Sequence, residues 1–93
     1  MSRVRVYTKQ RCPYSEQTLL FLDEKGIPYD EVDITGDPGL RAEMEEAAGG
    51  ETTTPQIFID GDHLGGYDEL IEQDRQGRLA ATLASGLERP GAV

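Results

Sequence analysis

A cysteine and a proline stand together where a predicted strand gives way to a predicted helix. Arg3 to Thr8 alternates polar and apolar residues of the types that favour strands, and Pro13 to Lys25 carries apolar residues at helical spacing. Proline suits the first helical position because its fixed φ matches the helix and its missing N–H is not needed there. The pattern therefore places Cys12 at the positive end of a helix dipole, directly after a strand.

This placement predicts a reactive thiol. The thiolate is the nucleophilic form of cysteine, and free backbone amides at a helix N-terminus stabilise it. Lys9 and Arg11 add positive charge nearby, so we expect the pKa of Cys12 to be lowered. The alternative, in which a lone cysteine serves as a small buried apolar residue, is disfavoured by the Cys12-Pro13 pair and by the local charge.

The rest of the chain continues the alternation of strands and helices. The predicted elements are a strand Tyr29 to Ile34, a helix Asp37 to Ala48, a strand Gln56 to Ile59, a strand Asp62 to Leu64, a helix Tyr67 to Gln76 and a short helix Arg78 to Ala84. Asp37 is the expected N-cap of the second helix, and Asp60-Gly61 is a hairpin turn signal. The order β-α-β-α-β-β-α(-α) predicts an α/β fold, with a four-stranded mixed sheet and helices on both faces.

Apolar residues at helical spacing predict which helix faces are buried. In the first helix this face comprises Thr18, Phe21 and Leu22, and Leu19 and Leu20 make it wider. The corresponding residues are Leu40, Met44 and Ala47 in the second helix, and Leu79 and Leu83 in the last.

Length and composition set the remaining bounds. A chain of 93 residues suits one domain, which we place at residues 1–86, with a flexible tail at 87–93. No apolar run approaches the length of a membrane span, and Met1 to Val6 has no apolar stretch typical of a signal peptide. The single cysteine excludes an internal disulfide framework. We expect a cytoplasmic monomer that contacts no membrane.

The charge is unevenly distributed. The chain has a formal net charge of −9, which argues against a nucleic-acid partner. The first 15 residues hold four of the nine basic side chains and none of the 18 acidic ones, so the remainder carries −13. A basic segment around Cys12 on an acidic body is expected to attract a small anion.

Three short strings in this sequence resemble the glutaredoxins, a family with a thioredoxin-like fold. The strings are Tyr7-Thr8-Lys9 before Cys12-Pro13-Tyr14, then Thr53-Thr54-Pro55-Gln56-Ile57-Phe58-Ile59, then Gly65-Gly66-Tyr67-Asp68. They occur in the order and spacing of the family, and the resemblance covers nearly the whole chain.

The resemblance implies a binding site for glutathione, which serves as co-substrate. Cys12 would form a mixed disulfide with glutathione, and the backbone of Thr54, before a cis Pro55, would pair with its cysteinyl unit. The amides of Asp68 and Glu69 would bind the γ-glutamyl carboxylate, and the Asp68 side chain its ammonium group.

Other residues complete the implied site. Lys9, and less strongly Arg41, would bind the glycyl carboxylate, while Tyr14, Gly66 and Tyr67 would line the groove. Three structural alternatives stay open: Tyr14 packs on the sheet, Gly65-Gly66 is only a turn, and Arg41 is a solvated helix residue. His63 is expected at the surface, and no mononuclear metal site is predicted.

The chain departs from the common family pattern at Ser15, where dithiol members carry a second cysteine, at Thr54, where valine is usual, and at Glu69, where aspartate is common. Thr54 has nearly the shape of valine, so we expect only Ser15 to change the chemistry. Without a resolving partner, Cys12 is expected to remove glutathione from proteins or small mixed disulfides by a monothiol route.

Two alternatives to this enzyme come from other functional classes. One is a homodimer that carries a 2Fe–2S cluster on two Cys12 thiolates and two glutathiones, in which case Cys12 is the metal ligand. The dedicated cluster carriers of the family have glycine and phenylalanine where Pro13 and Tyr14 stand here, together with an insertion that this chain lacks. These differences favour the enzyme. The other alternative is a redox adaptor without catalysis.

Overall fold

A four-stranded mixed sheet forms the centre of the computed structural model, which describes residues 2–84. The elements are β1 (Val4–Thr8), α1 (Pro13–Glu24), β2 (Tyr29–Asp33), α2 (Pro38–Ala47), β3 (Gln56–Ile59), β4 (Asp62–Gly65) and α3 (Tyr67–Arg75). Residues 78–84 form the described part of a further helix, α4. The predicted order is confirmed, and the expected tail at 87–93 lies outside the described residues.

The strand order is β2-β1-β3-β4. β1 pairs with β2 in parallel, while β3 runs antiparallel to both β1 and β4. The β3–β4 turn has positive φ at both central positions, 53° at Asp60 and 84° at Gly61, as the sequence signal predicted. No helix between residues 2 and 84 is long and apolar enough to cross a membrane.

The two faces of the sheet bury separate hydrophobic clusters because side chains alternate along each strand. One cluster packs under α1, α3 and α4 and comprises Val4, Val6, Leu22, Ile57, Ile59, Leu70 and Leu79. The other packs under α2 and comprises Tyr7, Ile34, Met44, Ala48 and Phe58. Helices therefore cover both faces, which confirms the predicted layers.

Two details of the predicted core are wrong. Leu20 is 57% exposed, because the buried stripe of α1 follows Ser15, Thr18 and Leu22 and leaves Leu20 on the opposite side. At the end of α2 the chain buries the C-cap residue Ala48 and leaves Ala47 exposed. The buried position after Met44 is thus four residues further along the chain, rather than the three that we predicted. Leu83 is partly buried against the first cluster, as expected.

Candidate functional site

Cys12 is the N-cap residue of α1, with Pro13 following in the first turn. Its backbone is extended, with φ −106° and ψ 106°, and its carbonyl accepts the first helical hydrogen bond, from Glu16 N at 3.1 Å. The preceding residue, Arg11, has a positive φ of 62° and turns the chain from β1 into the helix. The thiol is only partly exposed. The predicted strand-to-helix junction is confirmed.

Thr54 contacts the sulfur from a segment 42 residues further along the chain. Its hydroxyl donates to Cys12 Sγ at 3.3 Å, and Sγ donates to its carbonyl oxygen at 3.5 Å. The Thr54–Pro55 bond is cis, as the resemblance implied. The Thr54 hydroxyl adds a hydrogen bond to the sulfur that valine cannot make, a contact that the expectation based on shape did not include.

The pKa of the Cys12 thiol is lowered by a balance of opposing effects. Burial raises it, but the hydrogen bond from the Thr54 hydroxyl and the influence of the nearby Ser15 hydroxyl and of the amides of Ser15 and Tyr14 favour the thiolate and outweigh burial. The direction agrees with our prediction, whereas its main cause is hydrogen bonding rather than the charges of Lys9 and Arg11.

Ser15 lies one helical turn after Cys12 and is 2% exposed. Its Oγ is buried, and no atom between residues 2 and 84 lies within hydrogen-bonding geometry of it. A buried hydroxyl without a partner is rare. This hydroxyl is among the groups that lower the pKa of Cys12, so it is the donor available to the sulfur when Cys12 ionises.

A groove of about 310 Å³ lies beside the thiol. It is lined by Tyr14, Thr53, Thr54, Pro55, Gly66, Tyr67, Asp68 and Glu69. The structure thus brings together seven of the residues proposed from the sequence. It adds Thr53, for which the sequence predicts no role. Tyr14 is 58% exposed, so it does not pack on the sheet. Its ring lies 5.8 Å from that of Tyr67.

The opposite wall of the groove is the N-terminus of α3. Glu69 Oε1 accepts a hydrogen bond from Gly66 N at 2.7 Å, and the first helical bond runs from Leu70 N to Gly66 O at 3.1 Å. The amides of Asp68 and Glu69 precede that bond and have no partner within the helix. Both side chains are exposed, but the Glu69 carboxylate already accepts the hydrogen bond from Gly66 N.

The two glycines before α3 do more than form a turn. A Cβ on Gly66 would lie 3.3 Å from the carbonyl oxygen of Pro55, and one on Gly65 would lie 2.7 Å from Glu69 Cγ. Gly65 also has a φ of +128°, which other residues rarely adopt. The absence of a side chain at Gly66 lets α3 approach the cis-proline segment, and this approach forms the groove, while Gly65 leaves room for the side chain of Glu69.

Two predicted cations lie outside the groove lining. Lys9 is exposed in the segment between β1 and α1. Arg41 pairs with Glu45 at 2.9 Å and donates to the carbonyl oxygen of Thr52 at 3.4 Å. Arg41 is therefore an ion-paired helix residue near the 51–54 segment. This position favours the alternative in which Arg41 is a solvated helix residue over the one in which it binds glutathione.

The remaining candidates lie elsewhere. His63 is exposed, as expected, with Nε2 2.6 Å from Gln56 Oε1 and its ring tilted by 35° against that of Phe58. Within residues 2–84, no three acidic, histidine or cysteine side chains gather as metal ligands. A larger cavity of about 510 Å³, bounded by Ile59, His63 and Leu79 among others, has no cysteine in its lining. The chemistry at Cys12, rather than cavity size, therefore identifies the site.

Comparisons with known proteins agree with this geometry. A family model described as Glutaredoxin matches residues 4–64. Glutaredoxin 3 of Escherichia coli K12 is 43% identical over 79 residues, which span 85% of this chain and 94% of that protein. A glutaredoxin of Pseudomonas aeruginosa is 41% identical over 85 residues, which span 91% of this chain and 100% of that protein.

Solved structures give the same result. The solution structure of glutaredoxin from Brucella melitensis is 41% identical with a TM-score of 0.78, and the match covers 92% of each chain. The crystal structure of a buckwheat glutaredoxin–glutathione complex has a TM-score of 0.81 at 26% identity, and the match covers 90% of this chain and 78% of that one.

Proposed function

This chain belongs to the glutaredoxin family of glutathione-dependent thiol oxidoreductases, and we propose that it removes glutathione from mixed disulfides by a monothiol route with Cys12 as nucleophile. The observation that carries the proposal is the position of Cys12 Sγ, which contacts a residue of the groove lining and has hydroxyl and amide donors that favour its thiolate. The chain contains one cysteine, so a second thiol of the same chain cannot resolve the adduct.

The first step forms a covalent adduct. The Cys12 thiolate attacks the glutathione sulfur of a mixed disulfide, RS–SG. The new bond joins Cys12 Sγ to glutathione, the RS–SG bond breaks, and the substrate leaves as a thiolate that takes a proton from solvent.

The second step restores the enzyme. A second glutathione, as its thiolate, attacks the glutathione sulfur of the adduct and leaves as oxidised glutathione, GS–SG, while Cys12 departs as a thiolate. The net reaction converts RS–SG and glutathione into RSH and oxidised glutathione, so electrons and protons balance.

The groove supports an assignment of each part of glutathione. The Thr54 backbone pairs with the cysteinyl unit, and the amides of Asp68 and Glu69 bind the γ-glutamyl carboxylate. The Asp68 carboxylate accepts from the ammonium group. The rings of Tyr14 and Tyr67 flank the ligand. The buckwheat relative, whose structure is described as a complex with glutathione, supports this ligand.

The remaining residues have supporting roles. Pro55 and Gly66 bring the two walls together, since the Pro55 carbonyl oxygen lies against Gly66. Lys9 is the proposed partner of the glycyl carboxylate because its side chain is exposed on the Cys12 loop. Arg41 already pairs with Glu45, so Lys9 is the preferred cation.

The reaction consumes reduced glutathione. Such a supply exists in a reducing compartment, which agrees with the proposed cytoplasmic location. No observation within residues 2–84 favours the alternative 2Fe–2S carrier.

The proposal is tested by measuring intact mass after incubation with oxidised glutathione, and by turnover of a glutathionylated peptide with reduced glutathione. We expect one added glutathione on the wild-type chain and steady turnover. Cys12→Ser should show no adduct and lose nearly all activity, because a serine hydroxyl without a base is a poor nucleophile.

Ser15→Cys is the matched variant. Its new thiol, one helical turn from Cys12, should displace glutathione and form an internal disulfide, so the adduct should disappear while Cys12 stays competent. Turnover retained by Cys12→Ser, or a wild-type chain without an adduct, would contradict the proposal. Visible absorbance after anaerobic purification, without peptide turnover, would favour the cluster carrier instead.

A further inference from the structure

Thr54 contacts the reactive sulfur through two oxygen atoms, one of which favours the thiol and the other the thiolate. Its carbonyl oxygen accepts from the Cys12 thiol at 3.5 Å, while its hydroxyl donates to Sγ at 3.3 Å. We propose that the Thr54 hydroxyl is a positioning group for the chemistry at Cys12, because it holds the ionised sulfur both as attacking nucleophile and as leaving group. The inference rests on the proposed function and concerns a side chain to which no role in glutathione binding was assigned.

The two contacts respond differently when the thiol ionises. The bond from Sγ to the carbonyl disappears with the proton, and the carbonyl oxygen then faces a negative sulfur. The bond from the hydroxyl becomes charge-assisted and stronger. The hydroxyl therefore selects the thiolate, and it compensates for a carbonyl that favours the neutral thiol.

The geometry also restricts where the sulfur points. Thr54 is partly buried and precedes the buried Pro55, which begins the approach to β3. The carbonyl oxygen of Pro55 in turn lies against Gly66, so α3 supports this segment. The Thr54 hydroxyl therefore holds Sγ next to the groove that Thr54 helps to line.

The same hydrogen bond acts in the second step. When glutathione thiolate attacks the adduct, the Cys12–SG bond breaks and the electron pair passes to Cys12 Sγ. A thiol departs faster when its thiolate is more stable. The Thr54 hydroxyl donates to the sulfur as this charge develops, so it speeds regeneration of the enzyme as well as the initial attack.

The test must hold constant the other groups of the Cys12 loop and of the groove. The ionisable residues of the neighbouring loop and groove are Lys9, Arg11, Tyr14, Tyr67, Asp68 and Glu69. The buried Ser15 hydroxyl is a second uncharged donor. A change confined to Thr54 leaves all of these in place, so differences between Thr54 variants report on that residue alone.

Thr54→Val removes the hydroxyl and keeps the shape, whereas Thr54→Ser keeps the hydroxyl and removes the methyl group. Iodoacetamide alkylation of each full chain is measured across pH, with turnover of the glutathionylated peptide at pH 7 and with melting temperature as a check on folding. We expect Thr54→Val to move the alkylation profile to higher pH and to slow alkylation below its midpoint by a few-fold to about tenfold. Thr54→Ser should stay near the wild-type profile.

The outcomes separate this inference from the proposed function. A Thr54→Val profile that matches wild type, or a Thr54→Ser shift equal to that of Thr54→Val, overturns the role of the hydroxyl whether or not peptide turnover occurs. The expected alkylation profiles without peptide turnover in the wild type would uphold the hydrogen bond to Cys12 and refute the enzyme. Slower turnover in Thr54→Val that Thr54→Ser restores supports both.

Discussion

Uncharged donors surround the sulfur of Cys12 at the scale of single residues. Burial raises the pKa of this thiol, and the Ser15 and Thr54 hydroxyls with two backbone amides lower it further than burial raises it. Short-range donors resist screening by salt better than the exposed charges of Lys9 and Arg11 do. The reactivity of Cys12 is therefore expected to depend little on ionic strength.

Ser15→Ala tests the second hydroxyl through the pH dependence of alkylation. In the wild type the thiolate persists below the usual cysteine pKa of about 8.5, so alkylation should remain fast there and slow only as pH falls through the lowered pKa. Removing the Ser15 donor should move this midpoint upward. A Ser15→Ala midpoint equal to that of wild type would show that the buried Oγ does not serve the thiolate.

The same lowered pKa has a consequence for stability. Because Cys12 ionises more readily in the folded chain than in the unfolded one, its thiolate contributes stability that is fully present above the unfolded pKa. This contribution is lost as pH falls through the folded pKa. Cys12→Ser should flatten that part of the curve of unfolding free energy against pH, which denaturant titration measures.

At the scale of elements, the N-terminus of α3 both stabilises the helix and forms part of the proposed glutathione site. Gly66 caps the helix through Glu69 and also approaches the Pro55 carbonyl. Asp68, in the same first turn, is exposed and lines the groove. The internal cap thus uses one carboxylate and leaves the other available for a ligand.

Asp68→Ala should raise the KM for glutathione several-fold with little change in kcat, because it removes the proposed partner of the ligand's ammonium group. The folded state should lose only about 0.3–1 kcal/mol, the usual contribution of an acidic side chain in a first helical turn. Asp62→Ala is the matched control, because Asp62 is an exposed carboxylate in β4 outside the groove. An unchanged KM in Asp68→Ala would place the γ-glutamyl end elsewhere.

At the scale of the whole molecule, Arg3 links segments that are far apart in the chain. Its guanidinium donates two hydrogen bonds to the Asp60 carboxylate, at 2.8 and 2.7 Å. It also donates to the backbone carbonyls of Thr82 and Leu83 in α4. One side chain therefore joins the start of β1, the β3–β4 turn and the last described helix.

Arg3→Lys should lower the melting temperature, since a lysine ammonium cannot reproduce the forked contacts of a guanidinium. The alkylation rate of Cys12 should stay unchanged, because Arg3 precedes β1 whereas Cys12 follows it. Arg75→Lys is the control, because the contact of Arg75 with Glu72, at 3.4 Å, is exposed and should matter less. Equal melting temperatures for the two variants would contradict the linking role of Arg3.

Local sequence determined the elements and the location of the nucleophile. Alternation, helical spacing, the Asp37 cap and the Asp60-Gly61 turn act between near neighbours in the chain, so their signals can be recognised without a tertiary structure. The Cys12-Pro13 pair belongs to the same class. The strings that resemble glutaredoxins added the cis bond before Pro55, which local preference alone would not predict.

Only the tertiary structure decided which distant groups meet. Thr54 reaches Cys12 across 42 residues, and the approach of Gly66 to Pro55 forms the groove. Tertiary packing also decided that Ala48, rather than Ala47, is buried in the core. Such contacts depend on how whole helices and strands pack. Close packing is decided by the fit between their surfaces, which neighbouring residues in the chain do not reveal. The Thr54 hydroxyl therefore looked like a neutral substitute for a valine methyl group until the fold placed it against the sulfur.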